Sequence, residues 1–167
     1  MIRRESAIVT DPVTLSVSEP QPTRMVRIEA FALDPAFAEA FEAAVGAPVP
    51  AVGRVTDAPA GPVIWAEPRA FLASGDGYAL SEALSGVAAV SDVSGAWRRI
   101  DLTGPGWRAR LMIDGLFDAE SPAFAAGCVA ATLLHHAPVM LCPTGDDAVS
   151  VYVAPSFAAD LQAALER

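Results

Sequence analysis

The sequence predicts an α+β fold, mostly antiparallel sheets with helices on one face. Three observations predict it. Short apolar runs follow one another across tight turns, without the long crossovers that parallel neighbours need. Two segments, Phe37–Val45 and Phe157–Leu165, carry apolar residues at helical spacing and open on a proline. After a β-α start the elements read β-β-α and then β-β-β-α, strands grouped ahead of helices rather than strictly alternating with them. The 167 residues suit about one domain of ~100–200 residues.

Residues 1–24 form an N-terminal arm, in which Ala7–Val9 and Val13–Val17 alternate between Pro12, Pro20 and Pro22. Proline removes a ladder donor, so the arm is irregular or edge strand. Arg24–Ala32 alternates better and is a strand. Asp34 is an N-cap with Pro35 in the first turn, where its missing N–H costs nothing. Phe37, Phe41, Ala44 and Val45 make one apolar stripe, and Gly46 ends the helix. Residues 46–62 hold four prolines and three glycines and read as a loop, the seam if the chain divides into two small lobes. Val63–Trp65 is a short strand, and Pro68–Leu72 is either a helical turn or a second strand. Gly75–Gly77 turns into a helix over Tyr78–Leu84 that Gly86 closes.

Val87–Val93 and Ala96–Thr103 are strands about the Ser94–Gly95 turn. Gly104–Pro105 opens a helix to about Ile113, and 114–126 is a loop. Gly127–His135 and Ala137–Cys142 are strands separated by little more than His136. Gly145–Asp147 turns into Val149–Val153. Pro155 starts the last helix, with Phe157, Leu161 and Leu165 on one face.

Composition excludes several functions. The chain is 53% hydrophobic and carries a net charge of −9, which disfavours both nucleic acid and an anionic membrane surface. All basic residues are arginine, so a lysine Schiff base and a phosphate-binding P-loop are excluded. Asparagine is absent too, so the arginines reflect codon usage. No apolar run reaches the ~18–20 residues of a membrane span, and the N-terminus lacks the apolar stretch of a signal peptide. A cytoplasmic protein with reduced Cys128 and Cys142 is expected.

No motif points to catalysis. Gly104–Ala109 matches G-x-G-x-x-A, but Pro105 lacks the N–H that a pyrophosphate needs and the neighbouring strands read antiparallel. His135 and His136, adjacent on a strand, would face opposite ways and could not chelate one metal together. Cys128 and Cys142 flank the predicted hairpin and read as buried thiols. Asp114, Asp118 and Glu120 read as loop charges and caps. Trp65, Trp97 and Trp107 stand beside Arg69, Arg98, Arg99, Arg108 and Arg110. Trp and Arg anchor protein interfaces, so Trp65, Arg69, Trp97, Trp107 and Arg108 are either core-edge packing or a docking surface. No catalytic, cofactor-binding or metal-ligating set stands out.

The stretches Ala88–Ser94 and Arg99–Pro105 resemble the V-x-D-x-S … L-x-x-x-G-P pattern of the aminomethyltransferase (glycine-cleavage T-protein) superfamily. Phe124–Leu133, Ala137–Leu141 and Val151–Ala158 resemble the C-terminal half of the gamma subunit of heterotetrameric sarcosine oxidase, and Ile64–Leu72 resembles that family's W-L-G-P-D-E-W-L-L segment. Ala66–Glu67 and Phe71 depart from that segment. The resemblance spans about residues 25–167. It implies a fold similar to part of the T-protein and a subunit without a cofactor of its own. Flavin, NAD and tetrahydrofolate would sit on larger, flavin-bearing partner subunits. The chain is then expected to be a non-catalytic assembly subunit. Two alternatives stand beside it: a folate-binding module, for which Asp92 is the one candidate carboxylate, and a stand-alone enzyme using His135 or Cys128.

Overall fold

The computed structural model describes residues 15–113 and 115–167, so the expectations at Ala7–Val9, Val13 and Asp114 lie outside the described residues. In chain order the elements are β1 (Ser16–Val17), β2 (Gln21–Pro22), β3 (Val26–Ala30), α1 (Pro35–Val45), β4 (Val55–Ala58), β5 (Gly61–Glu67), β6 (Ala70–Ala73), α2 (Gly77–Ala83), β7 (Ala88–Asp92), β8 (Arg98–Thr103), α3 (Trp107–Ile113), β9 (Ala130–Leu134), β10 (Ala137–Gly145), β11 (Ala148–Val153) and α4 (Pro155–Leu165). The strands form two sheets. One runs β4-β5-β6-β3-β7; the other runs β1-β8-β11-β10-β9, with β2 also on β8. Every described strand pair is antiparallel.

Each sheet carries two helices on its outer face. On the first, Val26, Ile28, Val63, Phe71 and Ala73 pack against Phe37 and Phe41 of α1 and Leu80 of α2. The rings of Phe37, Phe41 and Phe71 lie 5.4–6.0 Å apart. On the second, Ile100, Leu102, Val139, Leu141, Val149, Val151 and Val153 pack against Trp107 and Leu111 of α3 and Leu161 and Leu165 of α4. Between the sheets lies a thinner layer: Met25, Ile64 and Leu72 from one, Met140, Cys142 and Tyr152 from the other. The α+β reading with antiparallel sheets therefore holds, and the helices keep to one face of each sheet.

The helix ends follow local chemistry. Asp34 accepts from the Phe37 N–H at 2.9 Å, and Gly46, at φ 78°, donates to the Glu42 carbonyl. A non-glycine residue would be strained there. Arg110 of α3 donates Nε–H to the Leu165 carbonyl at 2.9 Å and also bonds the Ala164 carbonyl, so α3 closes the C-terminus of α4.

Three expectations change. The loop expected over 46–62 contains β4 and the first residues of β5. The strand expected from Gly127 begins at Ala130, because Val129 donates to Gly53 and Cys128 bridges Arg54, tying this stretch to the other half of the molecule. His135 and His136 are not strand residues: they are the two-residue turn between β9 and β10, with φ of 45° and 67°. Pro68–Leu72 resolves as a turn leading into strand β6.

Candidate functional site

The five tryptophan and arginine candidates occupy different environments. Trp107 is fully buried, donates its indole N–H to the Asp146 carbonyl at 2.8 Å, and meets Phe124 edge-on. It is a core residue. Arg108 stacks over Trp107 at 4.2 Å and bonds the Ala119 and Phe124 carbonyls, which pins the 119–124 loop to α3. Trp65 is half-buried against the first outer core, and Trp97 half-buried against the layer between the sheets. Arg69 is exposed and donates to the Phe31 carbonyl at 3.2 Å, beside the exposed Phe31 and Leu33. The structure does not gather these five into one patch.

The two histidines share a turn with rings 5.9 Å apart. Opposite strand faces therefore do not separate them: both lie in one left-handed turn. Among the described residues no three His, Cys, Asp or Glu side chains form a group that could hold a metal ion. Cys128 belongs to the outer core of the second sheet; Cys142 belongs to the layer between the sheets. The two thiols therefore face opposite sides. Burial pushes Cys142 up to about 12, while Cys128 accepts from the Arg54 guanidinium at 2.9 Å and donates to the Ala123 carbonyl at 3.2 Å. Cys128 lies before β9 and His135 in the turn after it, so the two stand at opposite ends of that strand.

Asp92, at the end of β7, is exposed, and its carboxylate accepts from the Ser94 N–H at 2.8 Å. Hydrogen bonding to Ser94 holds it below the ordinary aspartate range, with a smaller contribution from Arg24. It stands on the rim of a cleft of about 940 Å³ between the sheets, with Arg24, Asp76, Arg99 and Tyr152. The acids there have local work: Asp76 caps α2 through the Tyr78 and Ala79 N–H groups. Arg99 is held by Asp101 at 3.1 Å, and Asp101 also accepts from the Ser150 hydroxyl at 2.6 Å.

A feature that the sequence reading passed over lies beside β9. Val52, Ile113, Leu116 and Leu133 are 76%, 67%, 86% and 43% exposed. Val52 and Leu116 wall a groove of about 550 Å³ with Phe117, Phe124 and Ala130 in its lining. The only available signal was a pair of large aliphatic residues, Ile113 and Leu116, flanking a glycine next to loop acids. Among the described residues no helix is long and apolar enough to cross a membrane.

Comparison with known proteins agrees with this architecture. The model of the sarcosine oxidase, gamma subunit family matches residues 29–166. The structure is similar to a chain of the heterotetrameric sarcosine oxidase from Corynebacterium sp. U-96, solved in complex with pyrrole 2-carboxylate: TM-score 0.82, 25% identity, over 94% of this chain and 84% of that one. Aspartate kinase from Synechocystis is far more distant, with a TM-score of 0.46 and 14% identity over 98% of this chain and 28% of that one. No curated protein sequence matches the chain significantly. With the family model covering most of its length, the chain belongs to the sarcosine oxidase, gamma subunit family.

Proposed function

We propose that this chain is an accessory subunit of a sarcosine oxidase-type complex, and that it works by assembly rather than by chemistry of its own. The observation that carries this is the match to a sarcosine oxidase chain along nearly the whole of both chains. The titratable groups support it. Cys128 and His135 lie apart, Asp76 and Asp92 serve local turns and caps, and Cys142 and Tyr152 are buried and held neutral. In this reading larger, flavin-bearing subunits carry out the oxidative demethylation of sarcosine in the cytoplasm and hold the flavin, NAD and tetrahydrofolate. The test is co-expression of a tagged chain with the larger subunits of the same genome. A yellow eluate containing those subunits is expected; a colourless eluate of this chain alone overturns the reading.

One observation favours a second reading, that the chain itself binds a folate: Asp92 stands on the rim of a cleft of about 940 Å³. A tetrahydrofolate titration of the wild type and Asp92→Ala decides it, since equal isotherms remove Asp92 from that role.

A further inference from the structure

We infer that the cleft between the sheets binds a small organic carboxylate through Arg99 and Tyr152, independently of the assembly reading above and of any role for Asp92. The site begins with strand register. Along β8, Ile100 and Leu102 turn into the outer core, so Arg99 and Asp101 face the other sheet. The antiparallel pairing with β11 sets Tyr152 opposite Arg99 and Ser150 opposite Asp101. Four polar side chains therefore share the inner face of the second sheet, next to the apolar Met140 and Cys142 of β10. Such groups are normally hydrogen-bonded, and this quartet closes only in part on itself. Ser150, 7% exposed, donates to Asp101 at 2.6 Å, and Asp101 takes Nε of Arg99 at 3.1 Å. That chain orients the guanidinium through Nε and leaves its terminal amino groups beside Tyr152 for a ligand. The Tyr152 side chain is buried, and its hydroxyl donates to no described residue. Burial keeps it protonated to about 12 against the opposing effect of Arg99, so it is a donor at neutral pH.

Arg99 and Tyr152 line both the cleft of about 940 Å³ and a smaller cavity of about 290 Å³. What these donors lack is an acceptor, and the acids of the cleft do not supply one. Asp76 accepts from two N–H groups of α2, and Asp92 from the Ser94 N–H, both at exposed positions. Arg24 brings a second guanidinium to the lining. A carboxylate meets a guanidinium in a two-bond fork and still accepts from a phenol. An amine or a metal ion would meet like charge and donors instead. The volume lies within the ~300–1,000 Å³ of small-molecule sites, and Met25, Ala60 and Pro62 in the wall offer apolar contact to a carbon skeleton. That wall favours an organic carboxylate over an inorganic anion.

The experiment is calorimetric titration of the full-length chain with benzoate and succinate. Benzamide serves as the uncharged isostere, and inorganic phosphate as the anion without a carbon skeleton. At least one carboxylate is expected to bind at about millimolar Kd or tighter, with benzamide and phosphate at least about tenfold weaker. Arg99→Gln is expected to weaken carboxylate binding at least about tenfold, as the loss of charge-assisted hydrogen bonds requires. Thermal melting checks folding. If Arg99→Gln does not fold, Tyr152→Phe replaces it, keeping the ring and weakening binding by about threefold or more. Absence of binding by both carboxylates overturns the inference. So does benzamide or phosphate binding as tightly as the carboxylates, or undiminished carboxylate binding by the folded variant. Each of these outcomes leaves the assembly reading standing, because none of them involves a partner subunit.

Discussion

Replacing Trp107 with alanine separates packing from docking at the residue where the sequence leaves both open. The ring is fully buried between α3 and the second sheet, in contact with Phe124 and under the Arg108 guanidinium. Truncating a buried tryptophan to alanine costs about 3–5 kcal/mol through lost burial and the cavity left behind. Losing the Arg108 contact adds about 0.5–1 kcal/mol. The lost hydrogen bond adds little, because Asp146 is exposed and its carbonyl can turn to water. For a chain of this size each kcal/mol moves the melting temperature by about 2–4 °C, so Trp107→Ala melts about 7–24 °C below wild type. Trp107→Phe keeps an aromatic edge on Phe124 and loses only about 1–2 kcal/mol. Scanning calorimetry reads both. Below its melting point, the alanine variant assembles with larger subunits as the wild type does, because no part of the ring is on the surface. A variant that melts within 2 °C of wild type but no longer assembles would refute the placement of Trp107 in the core.

Other expectations follow from local geometry. Asp34→Ala removes the side-chain cap of α1 and costs about 1 kcal/mol, read as a melting shift of about 2–4 °C, whereas Asp34→Asn retains most of the cap. His135→Asn/His136→Gly relieves two left-handed residues in the β9–β10 turn and raises stability by about 1 kcal/mol in urea unfolding; no gain would show that the turn is not strained. In alkaline solution, burial holds Cys142 and Tyr152 protonated to about 12, from ordinary values of 9.0 and 10.0. The unfolded chain releases these protons first, so stability is intact below about pH 9 and falls as pH rises toward 12. Cys142→Ala makes that decline shallower, and equal slopes for variant and wild type would show that the thiol does not contribute.

The elements legible in the sequence are those whose signal is local. The Asp34 cap, Pro35 and the Gly46 terminus mark α1, and the Phe157–Leu161–Leu165 stripe marks α4. The two strands that read poorly are buried on both faces. Val63 and Phe71 face the helices while Ile64 and Leu72 face the other sheet, so apolar residues run on without alternation. Strand β4 hides between Gly53 and Pro59 because its partner is supplied by β5, not by its own pattern. The histidines read as strand because the left-handed turn uses neither glycine nor asparagine. Trp107 and Leu116 show the same limit at the surface. An indole that could anchor a partner is core, and an ordinary leucine in a loop is 86% exposed, because long-range packing decides exposure.

The central claim is that this chain works as a subunit, and native mass spectrometry of the co-expressed, tagged chain tests it most directly. The account predicts a flavin-containing assembly in which each copy of the 17.3 kDa chain is bound to larger subunits. A spectrum showing only free 17.3 kDa chain beside a complete, active complex of the larger subunits would contradict it.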